Sequence, residues 1–204
     1  MRVFNSRTLD QACEFIQQGN LLAYPTEAVW GLGCDPFNEH AVTQILAIKQ
    51  RPIEKGMIVI APNIDSITEF FTPLPEHCQP PILTSWGNNS SQNQATTWLF
   101  PIPQHLPVNI PHWVTGGRAT LAIRLIQQPN IAKLCQQLIS PSNPYGFLIS
   151  TSCNPTGQPP AITLPQAQAY FGDCPNVDYF EADTLGYTQP SQIRDAMTGK
   201  LVRE

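Results

Sequence analysis

The sequence has its clearest candidates for binding a phosphate between residues 49 and 56. Lys49 and Arg51 stand at the end of a predicted helix, and Lys55 precedes Gly56 just before an apolar strand. Closely spaced cations on such a turn suit a polyphosphate, although cations in a last helical turn also complement the helix dipole without any ligand. Because Lys55 and Gly56 lie beyond the helix, we favour the phosphate interpretation.

Three further segments carry polar residues at the end of an apolar strand, where open α/β sheets bind their ligands. Residues 24–33 hold a hydroxyl, a carboxylate and glycines, which form either a small-molecule pocket or a simple Pro/Gly turn. Residues 150–157 offer hydroxyls, an amide and backbone N–H groups, which suit an oxyanion or phosphate but also an ordinary turn. Residues 190–195 either close over a nucleotide or form an exposed edge strand. Together these segments predict an anion or nucleotide site on an α/β sheet, and they identify no function by themselves.

The elements that must position these residues alternate along the chain, which predicts an α/β fold with a mixed sheet. Predicted helices lie near residues 8–19, 38–51, 63–71, 82–86, 129–138 and 163–172. Predicted strands lie near residues 21–24, 57–61, 98–100, 120–125, 147–149 and 177–181, and on both sides of a turn at Thr198-Gly199. Since the chain shows neither a repeat nor a linker, we expect residues 1–204 to form one domain.

Composition excludes several classes of protein. The chain has 204 residues, of which 42% are hydrophobic, so it is not a wholly disordered protein. Its net charge of −4 argues against a dedicated nucleic-acid binder. However, no acidic residue lies between Glu76 and Asp173, a stretch that contains Arg118, Arg124 and Lys133. This stretch either forms an anion-friendly face or arises by chance in a chain that is poor in charge.

The cysteines and the apolar runs favour an intracellular protein. Six cysteines are spread without a CxxC pair, and no Cys/His spacing is typical of a metal site, so we expect reduced thiols and no bound metal. No apolar run approaches the ~18 residues of a membrane span, and the residues after Met1 do not resemble a signal peptide. We therefore expect a soluble, cytoplasmic protein with no membrane partner.

Taken in order, five segments resemble the YrdC (TsaC) family of threonylcarbamoyl-AMP synthases. They read Tyr-Pro-Thr-Glu-Ala-Val-Trp-Gly-Leu-Gly at 24–33, Lys-Gln-Arg-Pro at 49–52 followed by Lys55-Gly56, Ala-Ile-Arg at 122–124, Ser-Thr-Ser-Cys-Asn at 150–154, and Pro-Ser-Gln-Ile-Arg-Asp at 190–195. The resemblance covers almost the whole chain. It implies a YrdC-like, twisted, open mixed sheet flanked by helices, with a concave, positively charged face.

The resemblance also implies a reaction. Family members join L-threonine, bicarbonate or CO₂, and ATP into threonylcarbamoyl-AMP and pyrophosphate. Downstream tRNA threonylcarbamoyl-transferase enzymes then pass the threonylcarbamoyl group to N6 of adenosine 37 in tRNA. ATP is thus an expected substrate, accompanied by Mg²⁺. Because adenylyl transfer depends mainly on positioning and charge neutralisation, the sequence needs no dedicated nucleophile.

The resemblance implies which residues of this chain bind the substrates, because the family's site residues can be matched to positions in or beside the five segments. The nucleotide is expected to contact Lys49, Arg51, Lys55, Ser152, Asn154, Ser191 and Arg194, of which Lys49, Arg51, Ser152 and Asn154 form the catalytic set. L-threonine is expected to contact Thr26, Thr120, Arg124 and Ser150. Arg124 suits the threonine carboxylate because guanidinium and carboxylate pair through two parallel hydrogen bonds.

Two departures from the family pattern leave alternatives open. The family usually has a Pro-Gly-Pro segment after Trp86, which residues 87–97 replace here, so we expect a flexible loop at 87–96 and an altered pocket wall. The second departure is Ser-Cys-Asn at 152–154, which replaces Ser-Ala-Asn and should be tolerated. One alternative is a double-stranded RNA or ribosomal RNA maturation factor of the same fold, with weak RNA binding on the concave face. Another is a nucleotide-binding protein that has lost activity.

Overall fold

The computed structural model describes residues 1–87 and 93–203. In these ranges the strands are β1 (Val3–Phe4), β2 (Leu21–Pro25), β3 (Trp30–Gly33), β4 (Ile58–Ala61), β5 (Gln94–Pro101), β6 (Thr120–Leu125), β7 (Leu148–Ile149), β8 (Thr151–Ser152), β9 (Val177–Phe180), β10 (Gln189–Asp195) and β11 (Leu201–Arg203). The α-helices are α1 (Leu9–Gln17), α2 (Glu39–Ile48), α3 (Gln79–Gly87), α4 (His112–Thr115), α5 (Pro129–Gln137) and α6 (Leu164–Phe171). Short 3₁₀ helices cover Ile53–Lys55, Asp65–Phe71 and Glu76–Cys78.

The strands form two mixed sheets. The first has the order β1-β9-β2-β3-β8, and the second has the order β11-β10-β5-β6-β4-β7. Each contains parallel and antiparallel neighbours; β2 pairs with β9 parallel and with β3 antiparallel, for example. The predicted mixed α/β fold is confirmed, with its strands divided between two sheets.

The chain passes from one sheet to the other at Ser150. β7 and β8 flank this residue and belong to different sheets. The Ser150 N–H donates to the carbonyl of Ile58 at 2.8 Å, and the Ile149 N–H donates to the carbonyl of Cys34 at 2.9 Å. This crossing therefore fixes the two sheets against each other, next to three of the predicted polar segments.

Apolar side chains cover both faces of the central strands. Leu21 and Ala23 contribute to the larger hydrophobic cluster, whereas the alternate residues Leu22 and Tyr24 contribute to the smaller one, beneath α1 and α5. Successive side chains of a strand point to opposite faces, so a strand that is covered on both sides is apolar throughout. This explains the continuous apolar runs from which β2 and β4 were predicted.

Two local predictions need correction. Residues 94–96, expected in a flexible loop at 87–96, lie in β5, and Gly87 ends α3; residues 88–92 of that loop lie outside the described residues. The helix predicted at 63–71 is a 3₁₀ helix over Asp65–Phe71, with non-helical angles at Ile67. Within the described ranges, no helix is long and apolar enough to cross a membrane.

Candidate active site

A cavity of ≈340 Å³ receives residues from both sheets. This volume lies within the size range of small-molecule sites in proteins. Its lining consists of residues 26–31, 150–152 and 189–191, with Arg51, Met57, Ile58, Ala95, Arg124, Pro160 and Arg203. The cavity is thus lined by at least one residue from each of the four polar segments predicted from the sequence.

A buried ion pair lies in the cavity wall. Arg124 on β6 places Nη1 3.3 Å from Oε2 of Glu27, and the two residues are only 8% and 1% exposed. Glu27 Oε1 accepts a hydrogen bond from the N–H of Gln127 at 2.8 Å, and Arg124 Nη2 donates to Ser150 Oγ at 3.4 Å. Because a buried charge is costly without partners, these contacts fix both charged groups in place.

The turn that carries Glu27 is held by hydrogen bonds on two sides. Thr26 Oγ1 donates to the carbonyl of Val29 at 2.7 Å, which closes the turn between β2 and β3. The N–H of Tyr187 donates to the carbonyl of Glu27 at 3.0 Å, and Tyr187 Oη donates to Gln127 Oε1 at 2.7 Å. Since Gln127 also binds the Glu27 carboxylate, these bonds join three separate parts of the chain around it.

Lys49 and Arg51 contact different groups because the chain turns sharply between them. Gln50 takes a left-handed conformation, with φ of 47°, after the last turn of α2. The N–H of Arg51 then donates to the carbonyl of Leu46 at 2.9 Å, as in a Schellman helix end. Glycine is the usual residue at such a position, so Gln50 carries backbone strain beside the site.

Lys49 lies outside the cavity lining and holds the chain at Ser152 and Asn154. Its Nζ donates to the carbonyl of Ser152 at 2.6 Å, to Oδ1 of Asn154 at 3.0 Å, and to the carbonyl of Asn154. Burial, which disfavours the charged form, lowers the pKa of Lys49 to about 8. These three hydrogen bonds from the Lys49 ammonium thus all go to acceptors within the protein.

Arg51 lines the cavity and keeps unused hydrogen-bonding capacity. Its Nη2 donates to the carbonyl of Gly56 at 2.7 Å, while its Nε is buried without a hydrogen-bond partner. The pKa of Arg51 is lowered by burial first and then by the nearby charges of Arg203 and Arg118. In the part of the chain that the structure describes, the ion pairs are Arg2–Asp178 and Arg124–Glu27, so none of them neutralises this group of arginines.

The structure brings six of the predicted site residues to the cavity and leaves five outside its lining. The six are Thr26, Arg51, Arg124, Ser150, Ser152 and Ser191. The five are Lys49 and Asn154, which bond to each other, exposed Lys55, Thr120 at the start of β6, and Arg194, whose guanidinium donates to Gln192 and to the carbonyl of Gly199.

Two charged residues of the cavity were missing from the predicted set. Glu27 follows Thr26 directly in the first polar segment, so its position in that segment was the available signal. Arg203 lies opposite Ile193 in the pairing of β10 with β11. A basic residue on the partner of the 190–195 strand could have been found once that hairpin was predicted.

Comparison with known proteins gives the family of this chain. The model of the Sua5/YciO/YrdC family, described as telomere recombination, matches residues 14–204. The chain belongs to this family. A relative from Psychrobacter cryohalolentis, named threonylcarbamoyl-AMP synthase, is 51% identical over 201 residues, which covers 95% of this chain and 94% of the relative. Relatives with this name do not favour the RNA-binding alternative.

Solved structures of the Sua5/YciO/YrdC family share the fold. The H234A/Y235A variant of P. abyssi Sua5 superposes with a TM-score of 0.81 at 21% identity, over 99% of this chain and 59% of that one. P. abyssi Sua5 complexed with L-threonine superposes with a TM-score of 0.78 at 22% identity, over 96% of this chain and 54% of that one. This chain therefore spans little more than half the length of those Sua5 proteins.

Proposed function

We propose that this protein is a threonylcarbamoyl-AMP synthase, which joins L-threonine, bicarbonate or CO₂, and ATP into threonylcarbamoyl-AMP and pyrophosphate. The observation that carries the proposal is a cavity with two kinds of charged group. The Glu27–Arg124 pair suits the opposite charges of an amino acid, and the unneutralised Arg51 and Arg203 suit a polyphosphate. The relative named for this activity covers nearly the whole chain.

The residues divide into two groups by chemistry. Thr26, Arg124 and Ser150 surround the amino-acid position, with Thr120 as a more distant contact at the start of β6. Arg51, Arg203, Ser152 and Ser191 contact the nucleotide, and Lys55 and Arg194 extend that group outside the cavity lining. Lys49 and Asn154 hold the 152–154 segment in position, as their mutual hydrogen bonds support.

In the reaction, the threonine ammonium first loses one proton, and the resulting amine adds to the carbon of CO₂ and loses a second proton, which gives a carbamate that keeps one N–H. An oxygen of the carbamate then attacks the α-phosphorus of ATP. The bond from the α-phosphorus to the α–β bridging oxygen breaks, and pyrophosphate leaves. The protein places the two substrates in line and neutralises the phosphate charge with Arg51 and Arg203, a role that requires no covalent intermediate.

Mg²⁺ enters this scheme as part of the ATP substrate. Among the described residues that line the cavity, Glu27 is the acidic one, and its oxygens already face the N–H of Gln127 and the guanidinium of Arg124. Within residues 1–87 and 93–203, no three His, Cys, Asp or Glu side chains form a group that could hold a metal ion. Magnesium often takes its ligands from substrate phosphates and water, so the nucleotide supplies the ion's binding groups.

The product also implies partners. Threonylcarbamoyl-AMP is a reactive mixed anhydride, so tRNA threonylcarbamoyl-transferase enzymes must receive it promptly.

We infer that the protein works in the cytoplasm as one domain of residues 1–204, with at most weak RNA binding. Its six free thiols, five of them buried, support the reducing compartment, and the crossing at Ser150 supports the single domain.

Pyrophosphate release tests the proposed function. The purified protein is incubated with ATP, Mg²⁺ and bicarbonate, with and without L-threonine, and the products are separated by mass. We expect release to depend on threonine and threonylcarbamoyl-AMP to accumulate. Release that is independent of threonine, or ATP binding without release, would contradict the proposal.

A further inference from the structure

Buried polar atoms without hydrogen-bond partners concentrate at the cavity. Within the described residues there are four such atoms: Glu27 Oε2, Arg51 Nε, Arg124 Nε and Tyr179 Oη. Three of them belong to charged residues of the cavity lining. Proteins rarely leave such atoms unpaired, and each one calls for a partner that the protein itself does not supply. A bound ligand that carries both hydrogen-bond donors and acceptors would satisfy them.

Glu27 Oε2 is the acceptor among these three atoms. Its residue is 1% exposed, and its other oxygen, Oε1, is fixed by the N–H of Gln127. Oε2 lies 3.3 Å from Arg124 Nη1, without a hydrogen bond to it. A carboxylate oxygen that is ion-paired with a guanidinium but receives no hydrogen bond is complementary to an α-amino acid, whose ammonium and carboxylate groups stand on one carbon atom.

We propose that Glu27 recognises the α-ammonium group of the amino-acid substrate. Oε2 accepts a hydrogen bond from the ammonium, while Arg124 pairs with the substrate carboxylate. Glu27 then selects amino acids over hydroxy acids of the same shape, because a hydroxyl donates only a neutral hydrogen bond, whereas the ammonium donates a charge-assisted one and also offsets the charge of the carboxylate. The inference rests on the proposed function, since it assumes that the amino acid binds beside Arg124.

A purely structural role for Glu27 predicts a different result. If Glu27 only held the Arg124 guanidinium in position, its replacement would weaken every ligand that carries a carboxylate to the same extent. If Glu27 recognises the ammonium, its replacement instead weakens ligands that carry an ammonium group more than ligands that lack one. The two roles separate when the ligand is changed together with the residue, as in a double-mutant cycle.

The experiment measures the dissociation constants of L-threonine and of 2,3-dihydroxybutyrate, in which a hydroxyl replaces the ammonium. Both ligands are titrated into the wild-type protein and the Glu27→Gln variant, with and without a non-hydrolysable ATP analogue. Glu14→Gln, an exposed site on α1, is the matched control. We expect the wild-type protein to prefer threonine at least ten-fold. Glu27→Gln should weaken threonine binding by about 10- to 100-fold and the hydroxy acid much less, and Glu14→Gln should change neither.

Equal weakening of both ligands by Glu27→Gln would overturn the proposal. Equal affinity of the wild-type protein for both ligands would overturn it without any variant, even if Glu27→Gln failed to fold. Glu27→Asp, which keeps the charge, should retain more of the preference than Glu27→Gln. Failure of the proposed function is distinguishable, because these titrations do not require the reaction: discrimination through Glu27 without adenylate formation would contradict only the synthase assignment.

Discussion

Two neighbouring cations, Lys49 and Arg51, serve the site in different ways. Lys49 donates to the backbone of Ser152 and Asn154, whereas Arg51 lines the cavity with its Nε unpaired. The sequence predicted both on the triphosphate, because their spacing and charge are all that it displays. The difference arises from contacts with residues more than 100 positions away and from the left-handed turn at Gln50. Neither feature has a local signal in the chain.

Replacement of Arg51 by alanine should impair the reaction strongly. A charged hydrogen-bond donor that acts on the phosphates is worth about 2–4 kcal/mol in the transition state, so Arg51→Ala should lower kcat/KM for ATP by about 30- to 1,000-fold. Steady-state pyrophosphate release measures this effect. Arg7→Ala, at an exposed position near α1, serves as the control. Equal activity of the two variants would contradict the role of Arg51.

The buried ammonium of Lys49 should give stability a distinct pH dependence. Burial lowers its pKa from 10.5 to about 8 in the folded chain. Between these two values the unfolded chain binds more protons than the folded chain, so the Lys49 contribution to stability rises with pH. The free energy of unfolding of the wild-type protein relative to Lys49→Met should therefore increase from pH 8 to pH 10. Urea denaturation of both proteins measures it, and a difference independent of pH would contradict the prediction.

Close contact between β3 and β7 positions the crossing segment beside the cavity. A Cβ atom at Gly33 would lie 1.9 Å from the carbonyl oxygen of Ile149, so this strand position admits no side chain. The sequence predicted β2 and β4 from apolar runs but placed residues 30–33 in a polar segment that forms either a small-molecule pocket or a Pro/Gly turn. β3 was missed because two of its four residues are glycines, which are depleted in strands. At Gly33, glycine marks a close approach of two backbones.

Alanine at Gly33 should destabilise the protein. The backbone of Ile149 must move to admit the methyl group, and overpacking against backbone costs about 1–3 kcal/mol or more. Gly87→Ala is the control, because a Cβ atom there meets nothing within 4 Å and alanine favours the helix in which Gly87 lies. Urea denaturation should show a lower midpoint for Gly33→Ala alone. Equal midpoints for the two variants would show that the contact is not restrictive.

The molecule as a whole brings its polar segments together through the arrangement of two sheets. Alternation of helices and strands predicted the α/β class, and the five ordered motifs indicated the family. The sequence could not show that the strands divide between two sheets, because hydrogen-bond pairing between distant strands has no local pattern. For the same reason it could not show that Arg203 on β11 reaches the cavity. A concave, positively charged face remains a prediction.

The most direct test of the proposed function is the mass of the product formed from ¹³C-labelled bicarbonate. We expect one nucleotide product that contains AMP, threonine and a single labelled carbon, formed only when all three substrates are present. This result would show that one protein joins all three. AMP or ADP without a threonine-containing, labelled product would contradict the assignment of this cavity as the site of threonylcarbamoyl-AMP synthesis.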